Sequence, residues 1–567
     1  MSNFFKKLKN FFERLKPRRF LSAISNFSKK DKIILIVFIS LGLIGLAWFL
    51  INNYLENTQV VADYGGTYIE GVVSYPRYLN PVIIDNNDAE SILEGILYSS
   101  LFKNDGSGKL TYDLIKEIEE TETNTYLLTI KDNVLWHDGE KLTTDDIIFT
   151  IELLKNDYFS NPYSLFLKEI SIDQISPLTL KITLPQEYFF WQNYFTFKIL
   201  PKHLWKDIPI ENFVLSDLNL KPIGSGPFKF QKSIMDKNNR ITQFNLVYFN
   251  DYFEGRPYLN NLIFKFFPDY NSALSSLKKN EILALSSFRI LTESPTNFSR
   301  FNITSSSFYS LTFNLNETIL KDNQIRQALS YALNKEDIKD KLNLSFKPIN
   351  SITDIYLNSN FISEFDPIKA KQILEEAGFN DSNQDGILDK KMNKNDEEVT
   401  NLAIEILVLD DPDLNSMAQI ISQNLKDIGI ETTVKSLSFN EFNNRLQTNS
   451  FQAALIGQKP IVKEIADFYT FFHSSQIPPF GFNFAFYKSQ EVDELLEELR
   501  VLNSDKQELL LQLGELIKSD LPIIPLFQEE TNWLVDKNFN IPQIFFINST
   551  GERFINVNNW YLNTKRI

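Results

Sequence analysis

VLWHDGEKLTTDDIIFTIELL, residues 134–154, places one histidine and five carboxylates within 21 positions. Val134, Leu135 and Trp136 read as the end of a strand. His137-Asp138-Gly139 then reads as a tight turn, with glycine free to take a positive φ. Thr143 is placed to cap the next helix, and Asp146, three residues on, is the short form of a capping-box acid. Asp145 and Asp146 fall in the first turn, where the helix dipole favours negative charge. Ile147, Ile148, Ile151 and Leu154 make one apolar stripe. A lone histidine beside an aspartate lacks the further ligands or nucleophile that metal or acyl chemistry needs. The stretch reads as a strand, a turn and a capped helix, and it gives no reason to expect an enzyme.

The 567 residues exceed one ordinary domain and suffice for a large core. Charge is unevenly spread. Residues 1–32 carry ten Lys/Arg against Glu13 and Asp31, a net of +8, and residues 33–51 carry none. Of the total of −15, the remainder from residue 52 onward therefore holds −23. A surface of that sign disfavours nucleic acid as a partner.

The uncharged run IILIVFISLGLIGLAWFLI (33–51) would rise about 29 Å as a helix, close to the hydrocarbon thickness of a bilayer. A cleaved signal peptide would have a shorter apolar run and a small-residue cleavage site, and a lipoprotein would need a cysteine, of which there is none. The run is expected to be a retained membrane anchor. The basic segment 1–32 should lie in the cytoplasm and residues 52–567 outside. Phe4, Leu8, Phe11, Phe12 and Leu15 share one helical face ahead of Pro17, which fits either a membrane-surface helix or a disordered basic tail.

Residues 52–64 are polar enough to be a tether. Beyond them no period of 20–50 residues appears, so a solenoid or propeller is not expected. TYLLTI (125–130), LTLKITL (178–184) and NLIFKFF (261–267) read as strands. DPIKAKQILEEAG (366–378) reads as a helix with Pro367 in its first turn and Gly378 as its stop. LNSMAQIISQNLKDIGIETTVKSLS (414–438) reads as helix, Gly429 turn and strand, the repeating unit of an α/β lobe.

A strand ending in Trp-His-Asp-Gly followed by a Thr/Asp-capped helix resembles the signature region of the family 5 extracellular solute-binding proteins, the peptide-, dipeptide- and nickel-binding receptors of ATP-binding-cassette importers. The resemblance continues in order through YLNP (78–81), LPKHLW (200–205), PIGSGPFKF (222–230), FNLNETILKDNQIRQALSYALNKEDI (313–338), DPIKAKQILEEAGF (366–379), HSSQ (473–476), GFNFAFYKSQEVDELL (481–496), LPIIPLF (521–527) and NVNNWY (556–561). It implies a two-lobed α/β periplasmic-binding-protein-like fold with an inserted subdomain, closing on a hinge around its ligand. The first lobe would comprise 65–100, 222–305 and 522–567, the inserted subdomain 101–221 and the second lobe 306–521. Gly224, Gly226 and Pro227 would form the return from subdomain to lobe, two flexible positions and one fixed φ, and Pro522 and Pro525 the second crossing.

The resemblance also points to ligand residues. Relatives carry an Asp-Pro-Asp-Pro-like run before His-Ser-Ser; here IADF (465–468) keeps only Asp467, a carboxylate that could face a ligand ammonium. Asn483 in GFNF, Trp533, and Tyr78 and Asn80 of YLNP are further lining candidates. Each has a packing role as its competing reading. DSNQDGILD (381–389) places Asp381, Asn383, Asp385 and Asp389 at calcium-loop spacing, but position twelve is Met392, so the bidentate carboxylate is missing. Only His137, His203 and His473 exist, no Gly-x-Ser-x-Gly elbow appears, and GSG (224–226) lacks a following Lys-Ser/Thr. No cofactor is expected. The reading is a non-catalytic anchored receptor for oligopeptides or related small solutes, serving importer permease subunits. A surface scaffold or signal receptor on the same fold, or a peptidase, are its alternatives.

Overall fold

Ser28 starts a 29-residue helix, Lys29–Asn57, through a reciprocal cap in which its hydroxyl accepts the Asp31 N–H at 3.3 Å and Asp31 accepts the Ser28 N–H at 3.2 Å. The uncharged run 33–51 lies inside this helix, and none of the helix is buried against protein. It is long and apolar enough to cross a bilayer. The polar segment after it is ordered: the helix continues to Asn57, and Val60–Asp63 forms an antiparallel ribbon with Asn563–Arg566. The computed structural model describes residues 28–83, 87–159, 161, 163–290, 296–357, 360–390, 399–459, 468–501 and 506–567. The basic segment ahead of residue 28, with its amphipathic pattern, lies outside the described residues, as do Asp467 and Met392. Helix and ribbon form one unit; Tyr64–Leu562 forms a second.

Within that second unit the largest sheet among the described residues has 12 strands. Its main members are β1 (Thr67–Val72), β2 (Phe228–Met235), β3 (Ile241–Tyr248), β4 (Asn261–Phe266), β5 (Ala284–Ser287), β6 (Phe298–Phe313), β7 (Ala403–Leu409), β8 (Glu431–Leu437), β9 (Ala453–Gln458) and β10 (Ile523–Asp536). They lie in the order β8-β7-β9-β6-β10-β5-β1-β4-β3-β2. At one end β7 is parallel to β8 and β9; at the other β1 is parallel to β4 and β5. The two long antiparallel strands β6 and β10 join these halves. Their pairing shifts register between Thr304 and Phe308, where the triplet Ser305-Ser306-Ser307 interrupts the ladder.

Alternation explains the strands. In β4, Leu262, Phe264 and Phe266 are buried, while Asn261, Ile263 and Lys265 are only half-buried. The expected helix over 366–378 is Pro367–Glu376, with Pro367 at its first turn, Asp366 accepting the Lys369 N–H at 2.9 Å, and Gly378 at φ +90°. Helix Pro412–Lys426, a turn at Gly429 (φ +89°) and β8 make the expected helix–turn–strand unit.

A separate 4-stranded antiparallel sheet runs Ile115–Glu122, Thr125–Ile130, Thr179–Thr183, Ser171–Ser176. It shares a hydrophobic core with β1, β3 and β4 through residues such as Leu128, Ile130, Leu180, Tyr68, Leu246 and Phe264. A second core is built on β7 and its helices, around Ile406, Leu425 and Leu329. A third lies around helices Gln490–Val501 and Gln507–Asp520, with Leu496, Leu513 and Phe468.

The 134–154 stretch folds as a turn and a capped helix. Gly139 takes φ +97° and closes the turn to the Trp136 carbonyl at 2.9 Å. Asp146 accepts the Thr143 N–H at 2.9 Å at the head of helix Thr144–Lys155, and also the Lys202 N–H at 2.9 Å. Asp145 meets Lys202 Nζ and Asp138 meets His203 Nε2, both at 2.9 Å.

At Gly224 and Gly226 the reason for glycine differs from the expected flexibility. Neither has a positive φ. A Cβ on Gly224 would stand 1.9 Å from the Leu97 carbonyl oxygen, and one on Gly226 would stand 2.1 Å from that of Ile96. Glycine is required because this return packs backbone to backbone against the end of helix Asp88–Leu97.

Candidate ligand site

Parallel strands followed by helices leave a crevice beyond their carboxyl ends, where helix N-termini and loop side chains converge. Helix Asp88–Leu97 follows β1 and helix Pro412–Lys426 follows β7. Both helices contribute acids to one place. Asp88, in the first turn of the former, and Asp411 and Asp413, at the start of the latter, all act with Glu529 on the Tyr309 phenol of crossing strand β6. Burial first, then these carboxylates, push that phenol well above its ordinary range.

The carboxylates of this site are crowded by protein yet reach solvent. Asp88 has protein packed round it closely enough for desolvation to raise its pKa, with the Thr550 hydroxyl, donating at 3.1 Å, as the largest opposing influence. Its side chain is nevertheless exposed to solvent. Glu529 on β10 is likewise raised by desolvation, against the charge of Lys459, while remaining half-exposed. Carboxylates in such surroundings fit the wall of a cleft. Tyr309 lies across Gly457 of β9, where a Cβ would approach its ring to 3.1 Å. The wall beside Asp88 is rigid: Gly551 donates to Ser91 Oγ at 3.2 Å, and a Cβ on Gly551 would stand 2.0 Å from the Ser91 carbonyl oxygen.

The residues singled out in the sequence are dispersed. Asp467 lies outside the described residues, between exposed Lys459 and fully buried Phe468. Asn483 is fully buried; its amide donates to the carbonyls of Tyr487 (2.9 Å), His473 (3.1 Å) and Phe472 (3.3 Å) and accepts the Tyr487 N–H at 3.1 Å. Trp533 is also fully buried, with ring centroids of Phe301 and Trp560 at 5.4 Å. Neither presents side chain to solvent. Asn80, fully buried, accepts the Val82 N–H at 3.1 Å. Tyr78 is half-buried, and its N–H, with that of Arg77, is held by the Glu90 carboxylate at 3.0 and 2.6 Å. Only Tyr78 and Asn80 come together, in a turn clamped onto the helix that carries Asp88.

Asp88, Tyr309, Lys459, Glu529 and Ser307, whose side chain hydrogen-bonds the Glu529 carboxylate, escaped the sequence reading. Asp88 looks like an ordinary first-turn acid, and Ser307 and Tyr309 like ordinary strand residues. The one legible signal is Glu529-Glu530 inside the apolar strand that begins at LPIIPLF.

The calcium-like loop is closed by its own backbone. Asp381 accepts the N–H groups of Asp385 and Gly386 at 3.0 Å each, and Asn383 Oδ1 accepts that of Asp385 at 3.1 Å. Asp389 turns to the Ser382 hydroxyl at 2.7 Å. Among the described residues no group of three or more His, Asp or Glu side chains is placed to hold a metal ion.

His137 serves the return instead of chemistry. Its Nδ1 accepts the Gly224 N–H at 3.0 Å, and its Nε2 lies 3.1 Å from the Gly226 carbonyl, so the ring is neutral with the proton on Nε2. Burial holds its pKa down at about 4 from 6.5. A pKa depressed by folding means the unfolded chain binds more protons between those values. The neutral form's contribution is therefore complete above pH 6.5 and is lost as pH falls through 6.5 towards 4. We expect His137 to account for about 3 kcal/mol of lost stability over that window. Urea unfolding at pH 7 and pH 4.5 checks it: His137→Gln should show a smaller drop than the wild type, and an equal drop refutes the assignment.

Two halves of one sheet, joined by two crossing strands and enclosing a cleft at strand ends, make this a two-lobed α/β binding protein of the periplasmic type. The profile of the bacterial extracellular solute-binding proteins, family 5, matches residues 109–478, and the chain belongs to that family. It is 29% identical over 507 residues to the oligopeptide-binding protein AppA of Bacillus subtilis, covering 86% of this chain and 90% of that one. The crystal structure of Bacillus subtilis AppA with a nonapeptide superposes with a TM-score of 0.70 at 26% identity, over 89% of this chain and all of the other. Campylobacter jejuni NikZ in complex with Ni(L-His) superposes at 0.69 with 27% identity, over 87% and 99%.

Proposed function

We propose that the protein is a membrane-anchored, non-catalytic receptor that captures oligopeptides or related small solutes outside the membrane and delivers them to the permease subunits of an ATP-binding-cassette importer. The observation that carries this is the match to an oligopeptide-binding protein over 86% of the chain, and the solvent-reaching acids Asp88 and Glu529 gathered beside β6 and β10 fit it. Bacillus subtilis AppA is named for oligopeptides, and the ammonium that a peptide carries is the ligand chemistry this reading takes.

In this reading the lobes are 65–100 with 222–305 and 522–567, and 306–521, with 101–221 inserted into the first. The junction at 305/306 falls where β6 shifts register, and the junction at 521/522 falls just before β10, which supports those limits. Helix Lys29–Asn57 is the anchor, with the basic segment on the cytoplasmic side. Asp467 is the carboxylate this reading assigns to a ligand ammonium.

Mass spectrometry of small molecules released from the purified full chain tests the function. Intact peptides or amine-bearing solutes are expected; a cleft that releases nothing, or a chain that cuts added peptides, overturns it. N-terminal sequencing of the mature protein decides the anchor, since a start near residue 60 would mean a cleaved signal.

A further inference from the structure

The segment 186–191 (QEYFFW) belongs to the core of the first half, with Tyr188, Phe190 and Trp191 at most 4% exposed within it. Phe189 points the other way and is 43% exposed. Its N–H donates to the Arg500 carbonyl at 3.0 Å. Arg500 closes helix Gln490–Val501, whose Val492, Leu496 and Leu499 pack in the third core. The Arg500 guanidinium carbon stands 4.3 Å from the ring centroid of Tyr188 and 4.3 Å from that of Tyr469, which packs against the third core. The cation is thus shared between an aromatic ring of each core. Lys506 repeats the pattern: its ammonium lies 3.8 Å from the Phe190 ring and 4.8 Å from that of Phe189, while donating to the Leu499 carbonyl at 2.9 Å.

These contacts differ in kind from those inside either core. Continuous apolar packing would not come apart and re-form easily, whereas two cations on ring faces and one backbone hydrogen bond can all exchange for water at modest cost. Among the described residues, the strands that join one half of the large sheet to the other are β6 and β10. A swing about them would pull the Phe189 N–H from the Arg500 carbonyl, a bond with no slack at 3.0 Å. We infer that Arg500 and Lys506 clasp segment 186–191 as a latch between the two cores, setting the balance between open and closed forms before any ligand arrives. Affinity then depends on the latch, because a ligand that needs the closed form is bound in proportion to that form's population.

The native chain has no cysteine, so two can be introduced for labelling without background. Dyes at Glu119→Cys and Lys426→Cys, both exposed and on different cores, report the separation by single-molecule energy transfer in the ligand-stripped full chain in lipid nanodiscs. Arg500→Gln removes the cation shared by two rings and should lower the closed-to-open ratio roughly 5- to 30-fold. Arg500→Lys should keep part of it, and Phe189→Ala should lower it less than Arg500→Gln does. An unchanged ratio in folded Arg500→Gln overturns the latch. If that variant does not fold, Phe189→Ala decides alone, since it alters a side chain already half in solvent, and an unchanged ratio there overturns the proposal equally. The measurement uses no ligand, so its outcome is separate from the identity of the solute.

Discussion

Arg553→Met is expected to destabilise the protein by about 3–5 kcal/mol, because it leaves a fully buried carboxylate without its cation. Arg553 and Glu70 are both completely buried, with Nη1 of one 2.7 Å from Oε1 of the other. The second Glu70 oxygen accepts the Tyr68 hydroxyl, and burial and the Glu70 charge push the Tyr68 pKa well above its usual value. The guanidinium lies against Trp533 at 5.2 Å and Phe554 at 5.4 Å, and its Nε donates to the Thr550 carbonyl at 3.2 Å. Methionine fills most of the volume, so the loss measures the stranded charge more than a cavity. Urea unfolding at pH 7 gives the number. Adding Glu70→Leu should recover most of it, since a buried pair replaced by apolar groups is often neutral. A single-variant loss under 1 kcal/mol would mean Glu70 is neutral or hydrated there. The ligand site has a stake in the pair, because Arg553 braces the turn Thr550–Phe554 that holds Thr550 against Asp88.

Asp467→Asn is expected to weaken capture of an ammonium-bearing ligand by about 2–5 kcal/mol, roughly 30- to several-thousand-fold. An ammonium that enters a closing cleft gives up its water, and without a facing carboxylate that costs several kcal/mol. Asparagine preserves shape and removes only the charge. Capping of the adjacent helix Tyr469–Phe472 is the competing reason for an acid here. Calorimetry with the co-purified ligand, beside a thermal melt, separates affinity from stability. Unchanged affinity in Asp467→Asn with a large loss in Asp88→Asn or Glu529→Gln would move the ammonium to the cleft wall described above.

Much of the architecture was legible because it is local. Strand alternation at 261–267, Pro367 and Gly378 at the ends of one helix, and the Thr143/Asp146 cap depend on residues a few positions apart, and the chain carries those signals wherever it lies in space. The ordered series of motifs from YLNP to NVNNWY carried the family, because their sequence order follows the order of elements. The apolar run 33–51 announced its own helix.

Tertiary structure alone decided what the conspicuous polar residues do. His137 looked like turn chemistry and proved to grip Gly224 and Gly226, 87 and 89 residues away. Those glycines looked like flexible joints and are in fact points where two backbones touch. Asn483 looked like a cleft residue and spends its amide on its own loop. The cleft wall is assembled from Asp88, Thr550, Glu529, Tyr309 and Lys459, which stand on separate elements and carry no shared sequence pattern. Periodicity encodes which face of an element is buried; which buried or cleft-facing groups meet across hundreds of residues is set by strand order and by the crossing of β6 and β10, and no local pattern records it.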